Sequence, residues 1–144
     1  MSFEDILGAT NISSSGMSAE RLRMEVVANN IANANSTRTP RGEPFRRQDV
    51  VFSAVLDQRL RGSQAAGRLG GVRVVDVIDD MSEMPRVYNP GHPDADSTGF
   101  VTMPNVQLPS EMVNLITANR AYEANLKVLQ AFRQQAEQVL LLGR

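Results

Sequence analysis

Residues 110–142 read SEMVNLITANRAYEANLKVLQAFRQQAEQVLLL, and the spacing of apolar residues in this stretch decides the fold. At roughly 100° per residue along an α-helix, Leu115, Ala118, Tyr122, Leu126, Leu129, Ala136 and Leu140 gather on one side. Ala121, Ala124, Val128, Phe132, Val139 and Leu142 gather on a second side, well round the cylinder. Each series advances mainly by three or four residues, the spacing of a seam that packs against another helix. A polar strip lies between them, with Glu123 four residues before Lys127 in the favourable order. One seam needs one partner, and two seams need more than one. The chain holds one obvious partner near its N-terminus, so the second seam predicts assembly with other molecules.

That partner is the stretch Met17–Ser36, capped by Ser14, Ser15 or Ser18. Met17, Met24, Val27, Ile31 and Ala34 form one stripe, and Ala19, Leu22 and Val26 lie nearly opposite, so this helix is two-faced as well and its second face is expected to be covered by sister subunits. Before it, Phe3–Ser15 carries Ile6, Leu7 and Ile12, but Gly8 and three serines lower its helix propensity. This segment is expected to be disordered alone and helical when packed; a frayed tail is the alternative. The run ANNIANANS concentrates asparagines whose amides compete with the helical backbone. Asn35 suits a C-cap. Asn29, Asn30 and Asn33 come too early for one if the helix reaches Ser36, so an interface role is expected of them.

All seven prolines and seven of the ten glycines lie between Pro40 and Pro109, which divides proline-free helical ends from a punctuated middle. Within the middle, QDVVFSAVL suits a strand or a short helix, with Val50, Phe52 and Ala54 on one side. GVRVVDVI (71–78) is a strand by its β-branched density. Residues 82–88 are expected to pair with it, and GFVTM (99–103) gives a further short strand. The expected fold is α+β: long N- and C-terminal helices paired as an antiparallel coiled coil, with a small β-rich insertion. The boundaries fall at 1–36 plus 110–144 for the helical part and 37–109 for the middle, with a flexible connection over 57–70.

The chain has 144 residues and a net charge of −1, with basic and acidic residues interspersed. Neither nucleic acid nor an anionic membrane would find a clustered basic face. There is no cysteine, hence no disulfide and no thiolate metal site. No run is long and apolar enough to span a bilayer, so no direct membrane insertion is expected. The N-terminus lacks the basic start and apolar core of a cleaved secretory signal. Aromatic residues make up only 5%, too few for a large core.

YNPGHPDAD (88–96) holds the only histidine. An EF-hand reading over Asp94, Asp96 and Thr98 fails at position twelve, which is Asn105. Zinc would want more nitrogen or sulfur ligands than His92 supplies. The segment reads instead as a rigid turn. With no nucleophile elbow, phosphate loop or zincin motif, neither an enzyme, a metal site nor a cofactor is expected.

Ser15-Gly16-Met17, Arg23-Met24, ANNIANAN and EMVNLITANRAYEAN (111–125) together resemble the two ends of bacterial flagellar rod and hook axial proteins. FRRQDVVF (45–52), YNPGHPDAD, GFVTMPNVQLPSEM and the short length narrow the resemblance to a proximal-rod subunit. Ser36 and Phe100 stand where threonine and tyrosine are more usual. The resemblance implies terminal helices lining an inner tube, the β-rich part outside, and helical self-assembly that transmits motor torque. It implies a periplasmic rod in the basal body, reached unfolded through the flagellar type III export apparatus without a cleaved signal. The implied partners are further copies, other proximal and distal rod proteins, and the adaptor joining rod to the membrane-embedded MS ring. Asn29, Asn30, Asn33, Asn35, Glu111, Arg120, Tyr122, Glu123 and Asn125 become subunit-interface candidates through it. The seams add Met24, Val27, Ile31, Leu115, Leu126, Val128, Leu129 and Phe132. A helical-hairpin module binding another soluble protein is the alternative, and it would show a single seam per helix.

Overall fold

The computed structural model describes residues 3–56 and 69–142. A helix α1 (Phe3–Ala32) leads into a loop and the antiparallel strands β1 (Gln48–Leu56) and β2 (Leu69–Asp79). Two three-residue strands, β3 (Arg86–Tyr88) and β4 (Phe100–Thr102), precede the closing helix α2 (Leu108–Leu142). The two helices lie antiparallel: Asn30 meets Glu111, and Gly16 lies against Asn125. The α+β architecture with a small β-rich middle is as expected.

α1 is continuous through its serine-rich first half because neighbours compensate for poor propensity. Ser15 Oγ donates to the Ile12 carbonyl (2.7 Å) and accepts from the Val72 amide (3.1 Å). Ser18 Oγ bonds back to Ser14 in the same way. Gly71, at φ 121°, lets β2 approach this point, where a side chain would strike Ser15. The helix stops at Ala32 rather than Ser36. Asn33 closes it, donating to the Asn29 carbonyl (3.0 Å) and side-chain oxygen (2.9 Å) while accepting from Ser36 Oγ.

β1 and β2 form a two-stranded ribbon laid along α1. Its register breaks between Val51 and Phe52, opposite Val75. The extra residue in β2 resets the alternation, so Val72, Val74 and Val77 are half-buried while Val75 and Ile78 are exposed. On β1, Val50 and Phe52 are half-buried, but Ala54 is exposed. Residues 82–88 do not extend this ribbon, contrary to the sequence reading; β3 pairs with β4 instead. Pro85 and the turn-rich segment 89–99 explain the difference, folding β3 back on its sequence neighbour. Of the expected flexible connection, 57–68 lie outside the described residues, and 69–70 open β2.

α1 therefore uses two faces, one against α2 and one against the ribbon. α2 packs against α1 alone among the described helices and strands. The fully buried apolar residues among those described are few and small: Ala19, Val26, Val27, Ala34, Val101 and Ala118. The chain exposes 10563 Å², against roughly 7,300 Å² for a compact monomer of this mass. This is an extended molecule with surface to spare.

Candidate assembly interface

The buried face of α2 runs Glu111, Leu115, Ala118, Tyr122, Asn125, Leu129, Phe132, Ala136, all buried or half-buried. The steps alternate four and three, the period of a helix–helix seam. The facing series, Ala9, Ser13, Gly16, Glu20, Arg23, Val27 and Asn30 on α1 with Ala34 just beyond its end, has the same alternation. Apart from Val27 its side chains are small or polar, and at Gly16 the helices approach closely: a Cβ there would sit 3.0 Å from Asn125 Nδ2. The first seam of the sequence reading is thus satisfied within the chain.

The opposite face of α2 is uncovered. Val113 (62% exposed), Ile116 (53%), Ala124, Val128 (43%) and Ala131 follow one another along it, with Met112 and Val139 at its margins. Of the second sequence-derived seam, Ala124, Val128 and Val139 are exposed, whereas Ala121 and Phe132 turn partly toward α1. Met112, Val113 and Ile116 belong to neither sequence-derived series. Val113 shares the angular sector of Ala124 and Val128, whereas Ile116 lies about 80° and Met112 about 120° round the helix from Ala124.

Where the two helices meet the ribbon, a polar joint ties five segments together. Asn30, fully buried, accepts from the Gln48 amide (2.9 Å) and donates to the Gln48 carbonyl (2.8 Å). The same Nδ2 donates to Glu111 Oε2 (3.0 Å). Glu111, 1% exposed in the first turn of α2, accepts from Arg47 Nε on its other oxygen (2.8 Å). Arg47 reaches Asp49 (3.3 Å) and Asp80 (3.4 Å), and its backbone amide donates to Asn105 Oδ1 (2.8 Å). The Asn105 amide in turn holds the Asp80 carbonyl and Ser82. Partial burial of Arg47 opposes its charge, but bonding to and attraction from Glu111 outweigh that and raise its pKa. The Ser82 amide and hydroxyl, then Arg47, hold Asp80 below the usual carboxylate range.

The turn 88–99 is organised by Asp96, whose Oδ1 accepts from Thr98 Oγ1 (2.6 Å), Phe100 N (3.0 Å) and Thr98 N (2.9 Å). Those bonds, led by the Thr98 hydroxyl, and the paired Arg86 lower its pKa to about 2. Tyr88 and Phe100 pack edge to face at 5.3 Å, with Gly99 at φ 84° beneath the tyrosine ring. Thr37 Oγ1 donates to Asp94 (2.8 Å), docking this turn on the loop after α1.

The sequence-derived interface candidates fall into three groups. Val27, Asn30 and Glu111 are buried inside the chain. Met24, Ile31, Asn33, Leu115, Tyr122, Asn125, Leu126, Leu129 and Phe132 are half-buried, several of them in the α1–α2 seam. Asn29, Asn35, Arg120, Glu123 and Val128 are exposed. Arg47, Asp80 and Asn105, which complete the joint, carried no local signal.

Two family models match the chain's ends: "Flagella basal body rod protein" over residues 11–38, and "Flagellar basal body rod FlgEFG protein C-terminal" over 97–141. They cover much of both helices and mark the class as flagellar rod-type axial proteins. The chain is 40% identical to flagellar basal-body rod protein FlgC of Yersinia enterocolitica, over 96% of this chain and 98% of the relative. It is 38% identical to FlgC of Borreliella burgdorferi (95% and 97% covered) and of Bacillus subtilis (93% and 95%). The chain belongs to the FlgC family of flagellar basal-body rod proteins.

Proposed function

We propose that the chain is a structural, non-catalytic subunit of the proximal rod in the flagellar basal body. It assembles with copies of itself and with other rod proteins through its terminal helices. The carrying observation is the uncovered apolar face of α2, which runs from Val113 to Val139. Burying such area between subunits contributes about 25 cal/mol per Å², offset by the entropy of ordering the helices. Torque transmission needs stiff subunits, and the helix pair braced by the polar joint is suited to that load. The helical ends 1–36 and 110–144 act as the assembling unit, with 37–109 outside it. Export through the type III apparatus and contact with the ring adaptor complete this reading. Further support comes from the family's covering nearly the whole chain. The test is complementation of a strain lacking its own rod subunit. The unaltered chain is expected to restore basal bodies containing it, and Val128→Asp to be made but excluded from them. Normal incorporation of Val128→Asp would refute assembly through this face.

A further inference from the structure

The apolar residues of the helix seam do not by themselves choose one axial alignment. On α1 the seam positions are small or polar apart from Val27, so Leu115, Leu129 and Phe132 would meet similar surfaces after a seven-residue slip. Slid one way, Phe132 comes level with Gly16 and Asn125 with Arg23. Slid the other way, Ala118 comes level with Gly16 and Glu111 with Arg23. Two contacts distinguish the observed alignment from both. Asn30 meets Glu111 (3.0 Å), and Gly16 admits the Asn125 amide where a Cβ would lie 3.0 Å from it. They are separated by the same 14 residues on each helix, two full repeats of the seam.

We propose that these two contacts, the buried polar pair Asn30–Glu111 and the steric fit of Asn125 over Gly16, set the register of the helix pair, with Asn30–Glu111 as the dominant one. A buried polar group tolerates only the alignment that satisfies it, whereas apolar contacts are interchangeable. Asn30 is also bonded to both backbone groups of Gln48, and Glu111 to Arg47 at the start of β1. The register of the helices and the seating of the ribbon are therefore fixed at one place. This goes beyond the rod reading and holds whether or not the chain assembles.

The chain has no cysteine, so spin labels can be placed at Arg21→Cys and Arg120→Cys, exposed sites level with one another. Pulsed dipolar spectroscopy on the full chain then reads the register. The unaltered seam should give one narrow distance. Asn30→Leu with Glu111→Leu removes both members of the dominant pair, together with the Gln48 bonds to Asn30 and the Arg47 bond to Glu111, and should add a second population displaced by about 10 Å along the axis. An unchanged single distance would leave Asn30–Glu111 without a role in the register and overturn the proposal. Leu115→Ala with Leu129→Ala supplies the converse, usable even if the first pair fails to fold. It should keep one distance in a less stable protein. A second distance there would overturn the proposal equally.

Discussion

Glu111→Ala probes the polar joint most sharply. Glu111 is 1% exposed and holds donors from three residues: Asn30 (3.0 Å), Arg47 (2.8 Å) and Asn114 (3.3 Å). Removing one partner of a buried ion pair costs about 3–5 kcal/mol. Two facts move this chain to the lower end. Arg47 is 20% exposed and retains Asp49 and Asp80, while Asn30 retains both bonds to Gln48. The expected loss is about 3 kcal/mol, a large share of the 5–15 kcal/mol typical of a domain. At a urea slope near 2 kcal/mol/M, that moves the unfolding midpoint down by about 1.5 M. Circular dichroism of the full chain measures it. Arg47→Ala should cost as much, because Glu111 then lacks its countercharge. Arg47→Met with Glu111→Leu should recover most of the loss, since an apolar pair strands no charge. A Glu111→Ala midpoint within 0.2 M of the unaltered chain would refute the joint as a source of stability.

Val128 and Leu129 are neighbours about 100° apart round α2, one exposed and one in the seam. Leu129→Asp should lower the melting temperature of the isolated chain, and Val128→Asp should leave it within a degree or two; the same drop in both would contradict the two-faced helix. Asp96, held at about 2, lies below the ordinary carboxylate value. Its stabilisation of the β3–β4 turn is thus fully present above about pH 4 and lost as pH falls toward 2. Amide shifts of Thr98 and Phe100 should titrate near pH 2 and cease to do so in Asp96→Asn; a midpoint near 4 would contradict the bonding described. Amide exchange in the isolated chain should be slowest around Asn30, Gln48 and Ala118 and fastest toward Val139, following burial. Uniform protection along α2 in a monomeric sample would contradict that gradient.

Both helices and the strands β1, β2 and β4 were legible because each writes a periodic pattern into consecutive residues. The end of α1 was misjudged by four residues. Asn33 looked too early to cap a helix reaching Ser36, whereas it closes one that stops at Ala32. The partner of β3 was missed because pairing depends on how Pro85 and the turn after Tyr88 redirect the chain. The second face of α1 was read as a demand for another molecule, yet the chain's own ribbon covers it, with Gly71 against Ser15. Periodicity shows that a face needs covering without saying what covers it. The polar joint was least legible of all. Most of its bonds join residues 18 to 81 positions apart, and Arg47 looks locally like any arginine before a strand. On α2 the exposed Ala124, Val128 and Val139 were legible as a second seam, while Met112, Val113 and Ile116 were not.

The rod reading requires sister subunits to cover the outer face of α2. Single cysteines at Val113 and Val128, in a chain with none of its own, allow maleimide labelling to be timed in the purified protein and in isolated basal bodies. Rapid labelling in the free chain and strong protection at both positions in the basal body are predicted. Equal rates in the two states would mean that this face stays open to water in the rod, and the account would fail.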